Sequence, residues 1–206
     1  MPDLSHYSLV RDRLARLRDK NCPPCDFRRH VADIARFLIL PATEKLQTTE
    51  VSVTTPLTTI TGHHLARPII LVPILRAGLG LSEAFLELLP EATVAHYGMA
   101  RNEETLEPHI YLERIPDNVA EAEVFVLDPM LATGGSAVAA LDGLKKRGAQ
   151  HLHFVCLVAS PEGMDCLQRK HPNVPVTTAV IDEGLNKKGY IVPGLGDAGD
   201  RIFGTL

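Results

Sequence analysis

The run Pro68-Ile69-Ile70-Leu71-Val72-Pro73 constrains this chain more than any other feature. An apolar stretch this short, set between prolines and without a polar face, reads as a strand buried on both sides. Such a strand needs helices above and below it, and the sequence supplies them in alternation. Helical patterning covers 79–89, a strand 92–97 and a second apolar strand 124–127. A helix then runs from 136 to 147, closed by Gly148, followed by a strand at 153–158, a helix at 161–170 and a last strand at 176–181. This alternation builds βαβ units: an α/β fold with a mostly parallel sheet flanked by helices on both faces.

Ahead of this core, Leu9, Val10, Leu14 and Leu17 recur at helical spacing among Arg and Asp, and Pro23-Pro24 ends that surface helix. Asp26 is expected to cap a second helix, striped by Phe27, Val31, Ile34 and Leu38. The two helices read as an appendage to one domain spanning 1–206. A β-favouring stretch follows at 50–55, and His63-His64 falls in a turn-like segment with no third ligand at metal spacing.

The 206 residues carry 21 Lys and Arg against 25 Asp and Glu, a net charge of −4. That balance lacks the basic footprint of a general nucleic-acid binder, so any anion must be met by a few chosen arginines. Cys22-Pro-Pro-Cys25 has the spacing of half a zinc or redox site, but Cys156 and Cys166 do not provide a second C-x-x-C. It reads as a proline-rich turn with incidental thiols. Neither a secretory leader nor a membrane-length apolar run is present, which points to the cytoplasm.

In sheets of this kind ligands sit beyond the carboxyl ends of the strands, here after Val72, Leu127 and Ile181. After Leu127 the chain reads Asp128-Pro129-Met130-Leu131-Ala132-Thr133-Gly134-Gly135-Ser136 and enters a helix. The small residues at 133–136 offer successive N–H groups, and the helix start adds partial positive charge, so a phosphate is stabilised there. Asp128 can accept hydrogen bonds from vicinal hydroxyls, which makes the loop a ribose-phosphate candidate. It is not a Walker A loop, because no Gly-Lys-Ser/Thr follows. Arg76, between the first core strand and the Gly78/Gly80 pair, suits a diphosphate through its planar fork. Arg101 lies in a polar stretch, 98–108, able to fold over bound substrate as a lid.

The tail contains a literal G-x-G-x-x-G at Gly194, Gly196 and Gly199, but only seven residues follow and leave no room for a dinucleotide-binding unit. Its alternative use is close backbone approach to a planar ligand, whose imide edge main-chain groups can pair. Cytosine would leave groups unpaired there. Lys187 and Lys188 read as solvated surface.

The 128–136 motif resembles the phosphoribosyl-diphosphate (PRPP) fingerprint of type I phosphoribosyltransferases, in the form found in uracil phosphoribosyltransferases. The Arg76 and Arg101 segments and the tail resemble the same family. That resemblance implies transfer of phosphoribosyl from PRPP to uracil, giving UMP and diphosphate, without a covalent nucleophile. It implies PRPP contacts from Arg76, Arg101, Asp128 to Ser136 and Asp197, and uracil contacts from Ile191, Gly196, Asp197 and Ala198. It further implies Mg²⁺ held mainly by PRPP oxygens with Asp197 nearby, a GTP effector in some members, and a homodimer or higher homo-oligomer. Residues 1–60 would then supply the N-terminal helices, a small hood and subunit contacts, and 68–206 the core. Two departures stand out: Pro129 replaces the superfamily's second acid, as in the uracil branch, and Ala100 replaces the aromatic usual before the lid arginine. The rival readings are an RNA-binding pyrimidine regulator or a catalytically silent paralogue on the same fold.

Overall fold

The computed structural model describes residues 3–101 and 108–205. The chain opens with helices α1 (Ser8–Arg18) and α2 (Pro24–Thr43), then strands β1 (Thr48–Thr54), β2 (Thr59–Leu65) and β3 (Ile69–Leu75). Helix α3 (Leu79–Leu88), strands β4 (Thr93–Val94), β5 (His96–Arg101) and β6 (Pro108–Arg114), and a short 3₁₀ turn (Asp117–Ala120) follow. Next come β7 (Glu123–Leu127), β8 (Met130–Leu131), α4 (Gly135–Lys146), β9 (His151–Ala159) and α5 (Pro161–Lys170). The chain finishes with β10 (Val176–Ile181), β11 (Gly184–Leu185), β12 (Ile191–Val192) and α6 (Ala198–Phe203).

The main sheet has the order β10-β9-β7-β3-β5-β6, parallel except for the β5–β6 pair. Side-chain alternation splits its burial between two faces. Leu71, Phe125 and Leu127 meet α1, α2 and α3, whereas Ile70, Val72, Ile74, Val124 and Val126 meet α4 and α5. The expected mostly parallel α/β sheet covered on both faces is therefore what forms.

Four local expectations are corrected. Pro73 does not bound β3; it lies within the strand, opposite Leu127 of β7. On its other side β3 pairs with β4 at Ile70 and Leu71 and with β5 at Ile74 and Leu75, so the missing N–H falls in the gap between partners. The first binding turn consequently starts after Leu75, not Val72. Helix α2 is capped by Pro23 with Pro24 at its first position, and Asp26 lies within its first turn; proline's preset φ suits that position and its missing N–H costs nothing there. Nor is α2 an appendage, since Phe27, Val31, Ile34 and Leu38 are wholly buried. Finally, His63 and His64 lie in β2, which pairs antiparallel with β1. Its mixed polar and small residues hid it, because both faces of this hairpin are exposed and no alternation is selected.

Candidate active site

Three segments that follow parallel strands meet at the carboxyl end of the sheet. The first is the β7–α4 loop. The Pro129 carbonyl accepts from the N–H groups of Leu157 and Val158 at 3.0 and 3.1 Å, and the Ser160 hydroxyl donates to the Ala132 carbonyl at 2.6 Å. These bonds fix the loop to β9, with Met130 and Leu131 forming the short strand β8 beside it. Gly134 then caps α4 at φ 82°, a left-handed conformation disfavoured for side chains, and a Cβ there would meet the Cys166 side chain at 2.9 Å. A cavity of about 50 Å³ is lined by Asp128 and residues 130–137, at the start of α4, where the positive end of the helix dipole favours an anion.

Asp128 lines this cavity and accepts from the Met130 N–H at 3.4 Å. Burial pushes its carboxyl up to about 7, only weakly offset by that bond. A carboxylate so short of donors gains strongly from hydroxyls or a cation brought by a ligand.

The second segment is the turn after β3. Gly78 packs against the end of β7 so closely that a Cβ would lie 2.3 Å from the Leu127 carbonyl oxygen. This contact packs the turn that carries Arg76 against the end of β7, where the Asp128 loop begins. The Leu75–Arg76 peptide is cis. Arg76 is exposed, donates to Asp200 Oδ1 at 2.9 Å and lies 5.7 Å from the Phe203 ring centre. The Thr205 hydroxyl and Arg76 together hold the Asp200 carboxyl below its ordinary range.

The third segment is the tail. Ile191 is buried in β12, Gly196 turns at φ 71°, and Asp197 caps α6 by accepting from the Asp200 N–H at 2.9 Å. Ala198 is buried at the first position of α6. That helix spans only Ala198–Phe203, so the glycine motif opens no dinucleotide unit. Gly196 and Asp197 are exposed.

Arg101 ends β5; its side chain, and residues 102–107 of the expected lid, lie outside the described residues. Ala100, opposite His109 across the β5–β6 pair, is exposed. The other expected site residues are thus gathered at one end of the sheet.

Sequence reasoning missed the supports. Arg18 of α1 makes paired bonds of 2.9 and 2.6 Å to Asp182, whose carboxylate also accepts the Gly194 N–H at 2.9 Å. Arg201, buried over the Phe27 ring, donates to the Leu195 carbonyl at 2.9 Å. Asp200, the resting partner of Arg76, was equally unmarked. No local pattern announces these residues, because each acts across a long sequence separation.

Among the described residues no group of three or more His, Cys, Asp or Glu could hold a metal ion. Asp128 and Asp197 suit an ion that arrives on substrate oxygens, since Mg²⁺ commonly takes one or two carboxylates beside phosphates and water.

The sheet order and the loop-cradle-helix unit define a phosphoribosyltransferase of the type I fold. A hypoxanthine-guanine phosphoribosyltransferase from Bacillus anthracis shares that fold at TM-score 0.54 and 10% identity, covering 77% of this chain and 80% of its own. A solved protein of Aquifex aeolicus is far nearer, at TM-score 0.91 and 37% identity, covering 98% and 97%. The uracil phosphoribosyltransferase of Ligilactobacillus salivarius is 50% identical over 200 residues, 97% of this chain and 96% of that one. That of Enterococcus faecalis is 48% identical over the same coverage. A family model described as uracil phosphoribosyltransferase matches residues 4–205, and the chain belongs to that family.

Proposed function

We propose that this member of the uracil phosphoribosyltransferase family joins uracil to the phosphoribosyl group of PRPP, releasing UMP and diphosphate for pyrimidine salvage. The observation that carries the site assignment is the 2.9 Å contact between Arg76 and Asp200, which brings the diphosphate arginine to the base-recognition tail. In this reading the 5′-phosphate occupies the 133–136 cradle, and Asp128 accepts from the ribose hydroxyls. Arg76 and Arg101 take the departing diphosphate, exchanging Asp200 for substrate in the case of Arg76. Main chain and apolar surface at Ile191, Gly196, Asp197 and Ala198 align uracil.

The N1–C1 bond forms with an electron pair from uracil as the C1–oxygen bond to diphosphate breaks, the pair leaving with diphosphate and the N1 proton passing to solvent. No covalent nucleophile is required, so positioning and charge stabilisation supply the rate. Asp128 and Asp197 would hold Mg²⁺ together with PRPP oxygens, and the ion's chemistry is to neutralise diphosphate charge. The free thiols of Cys22, Cys25, Cys156 and Cys166 suit a cytoplasmic location. The exposed β1–β2 hairpin is assigned to contacts within a homo-oligomer.

The test mixes protein, Mg²⁺, PRPP and each of uracil, cytosine, orotate and hypoxanthine, and follows nucleotide formation. UMP from uracil alone supports the reading; preference for another base, or no product, overturns it. GTP added to the same assay tests the effector that the family resemblance implies.

A further inference from the structure

One buried polar cluster is left unused by this site. Tyr97 of β5 is wholly buried, yet it carries a hydroxyl, which donates to Glu113 Oε1 at 2.8 Å. Glu113 is its direct partner across the β5–β6 pair, and Arg147, at the end of α4, donates to Glu113 Oε2 at 3.1 Å. Beneath them lies Gly143 of α4, where a Cβ would sit 2.1 Å from the Tyr97 oxygen and 3.2 Å from Glu113 Oε1. The phenol therefore rests on the helix backbone at a point only glycine leaves open. A phenylalanine over an alanine would fill similar space with no polar demand, so the cluster selects one arrangement rather than merely occupying volume.

The connections of these residues give that arrangement a consequence. Four residues beyond Tyr97, β5 ends at Arg101, and α4 begins at Gly135 in the phosphate cradle. Tyr97 also pairs with Ile74 of β3, two residues before Arg76. Tyr97 thus ties the β5–β6 arm to the middle of α4 through its hydroxyl, and to β3, which leads into the arginine turn, through its backbone pairing. We propose that Tyr97, Glu113 and Arg147 act as a positioning clamp, fixing the β5–β6 arm on α4 so that Arg101 and the cradle address the same diphosphate sugar. This inference rests on the PRPP assignment above. Burial and the Glu113 bond raise the phenol's pKa well above its ordinary value, while Tyr97 and Arg147 lower that of Glu113. The pair stays a neutral donor on a carboxylate acceptor through the neutral range.

The test is Tyr97→Phe, which removes one oxygen and keeps the ring, with Arg147→Gln as a milder second variant at an exposed position. Loss of a hydrogen bond to a charged group should weaken PRPP binding by about tenfold in calorimetry, with KM for uracil at saturating PRPP unchanged. Backbone amides of β5 and β6 should exchange faster in the unliganded variant, and PRPP should restore their protection. Gly143→Ala should impair PRPP binding further, and adding Tyr97→Phe to it should cost less than Tyr97→Phe alone, since the clashing oxygen is gone. Wild-type PRPP affinity and wild-type arm exchange in Tyr97→Phe, even with a lowered melting temperature, would overturn the clamp. Failure of the wild-type enzyme to bind PRPP would instead remove the substrate assignment, while arm exchange in the variants still judges the clamp.

Discussion

At the scale of single residues, Arg76 and Asp128 carry opposite electrostatic problems. Arg76 is exposed and paired with Asp200 across 124 positions of sequence, and such surface pairs are worth about 0–1 kcal/mol. Asp200→Asn should therefore tighten PRPP binding by less than about fivefold, the most that an exposed pair withholds. Arg76→Ala, losing the proposed contacts to the departing diphosphate, should lower kcat/KM by about a hundredfold or more, with the fold intact by circular dichroism. Asp128 is different because burial lifts its folded pKa to about 7, above the ordinary carboxylate value of 3.8. Folded protein keeps this proton while unfolded protein has lost it, so stability declines as pH rises through the window from about 4 to about 7. Asp128→Asn should flatten that decline, by at most ~4 kcal/mol for a shift of about three units. It should also remove the limb of kcat/KM for PRPP that rises with pH towards 7. Denaturant melts and rate profiles across pH check both. Arg76 and Asp128 were legible in the sequence because each sits between an apolar strand and glycine-rich turns. Asp200 was not, because its partner is chosen by tertiary closure.

At the scale of elements, the C-terminal tail owes its shape to helices far from it in sequence. The Arg18–Asp182 pair from α1 holds a carboxylate that is nearly buried and that also accepts the Gly194 N–H. Arg18→Met would leave that carboxylate without its cation, a larger loss than at the surface: about 2 kcal/mol of stability. KM for uracil should rise while PRPP affinity changes little, a split that steady-state kinetics with each substrate varied would show. Equal change in both constants would mean that α1 supports the whole site rather than the tail. The strands and helices from β3 to β10 were legible because burial on two faces imposes continuous apolar runs, and helices over them repeat at helical spacing. The exceptions have physical causes. β3 tolerates Pro73 because its neighbours change there, and β2 escaped notice because neither of its faces is buried. α2 showed its apolar stripe plainly, but a stripe cannot say whether it covers a sheet or lies aside.

At the scale of the molecule, a net charge of −4 coexists with a site for a strongly anionic substrate because the positive groups are few and local. The same economy leaves one part of the protein without cover. Strands β1 and β2 make seven paired positions from Thr48↔Leu65 to Thr54↔Thr59, and exposed Val53 faces exposed Ile60 across the pair. Leu57 at the turn is 95% exposed. An isolated two-stranded hairpin is marginal in water, so an ordered one with apolar side chains facing outward calls for a partner surface. A second copy of this chain is the partner implied by the family resemblance. Charge on the apolar pair should oppose burial without touching the sheet, because neither residue belongs to the core. Val53→Asp with Ile60→Asp should therefore sediment as a monomer where the wild type sediments as a dimer or higher species. Far-ultraviolet circular dichroism should be unchanged. A wild-type monomer would remove the oligomer from the proposal, and an undiminished oligomer in the double variant would move its contact away from the hairpin.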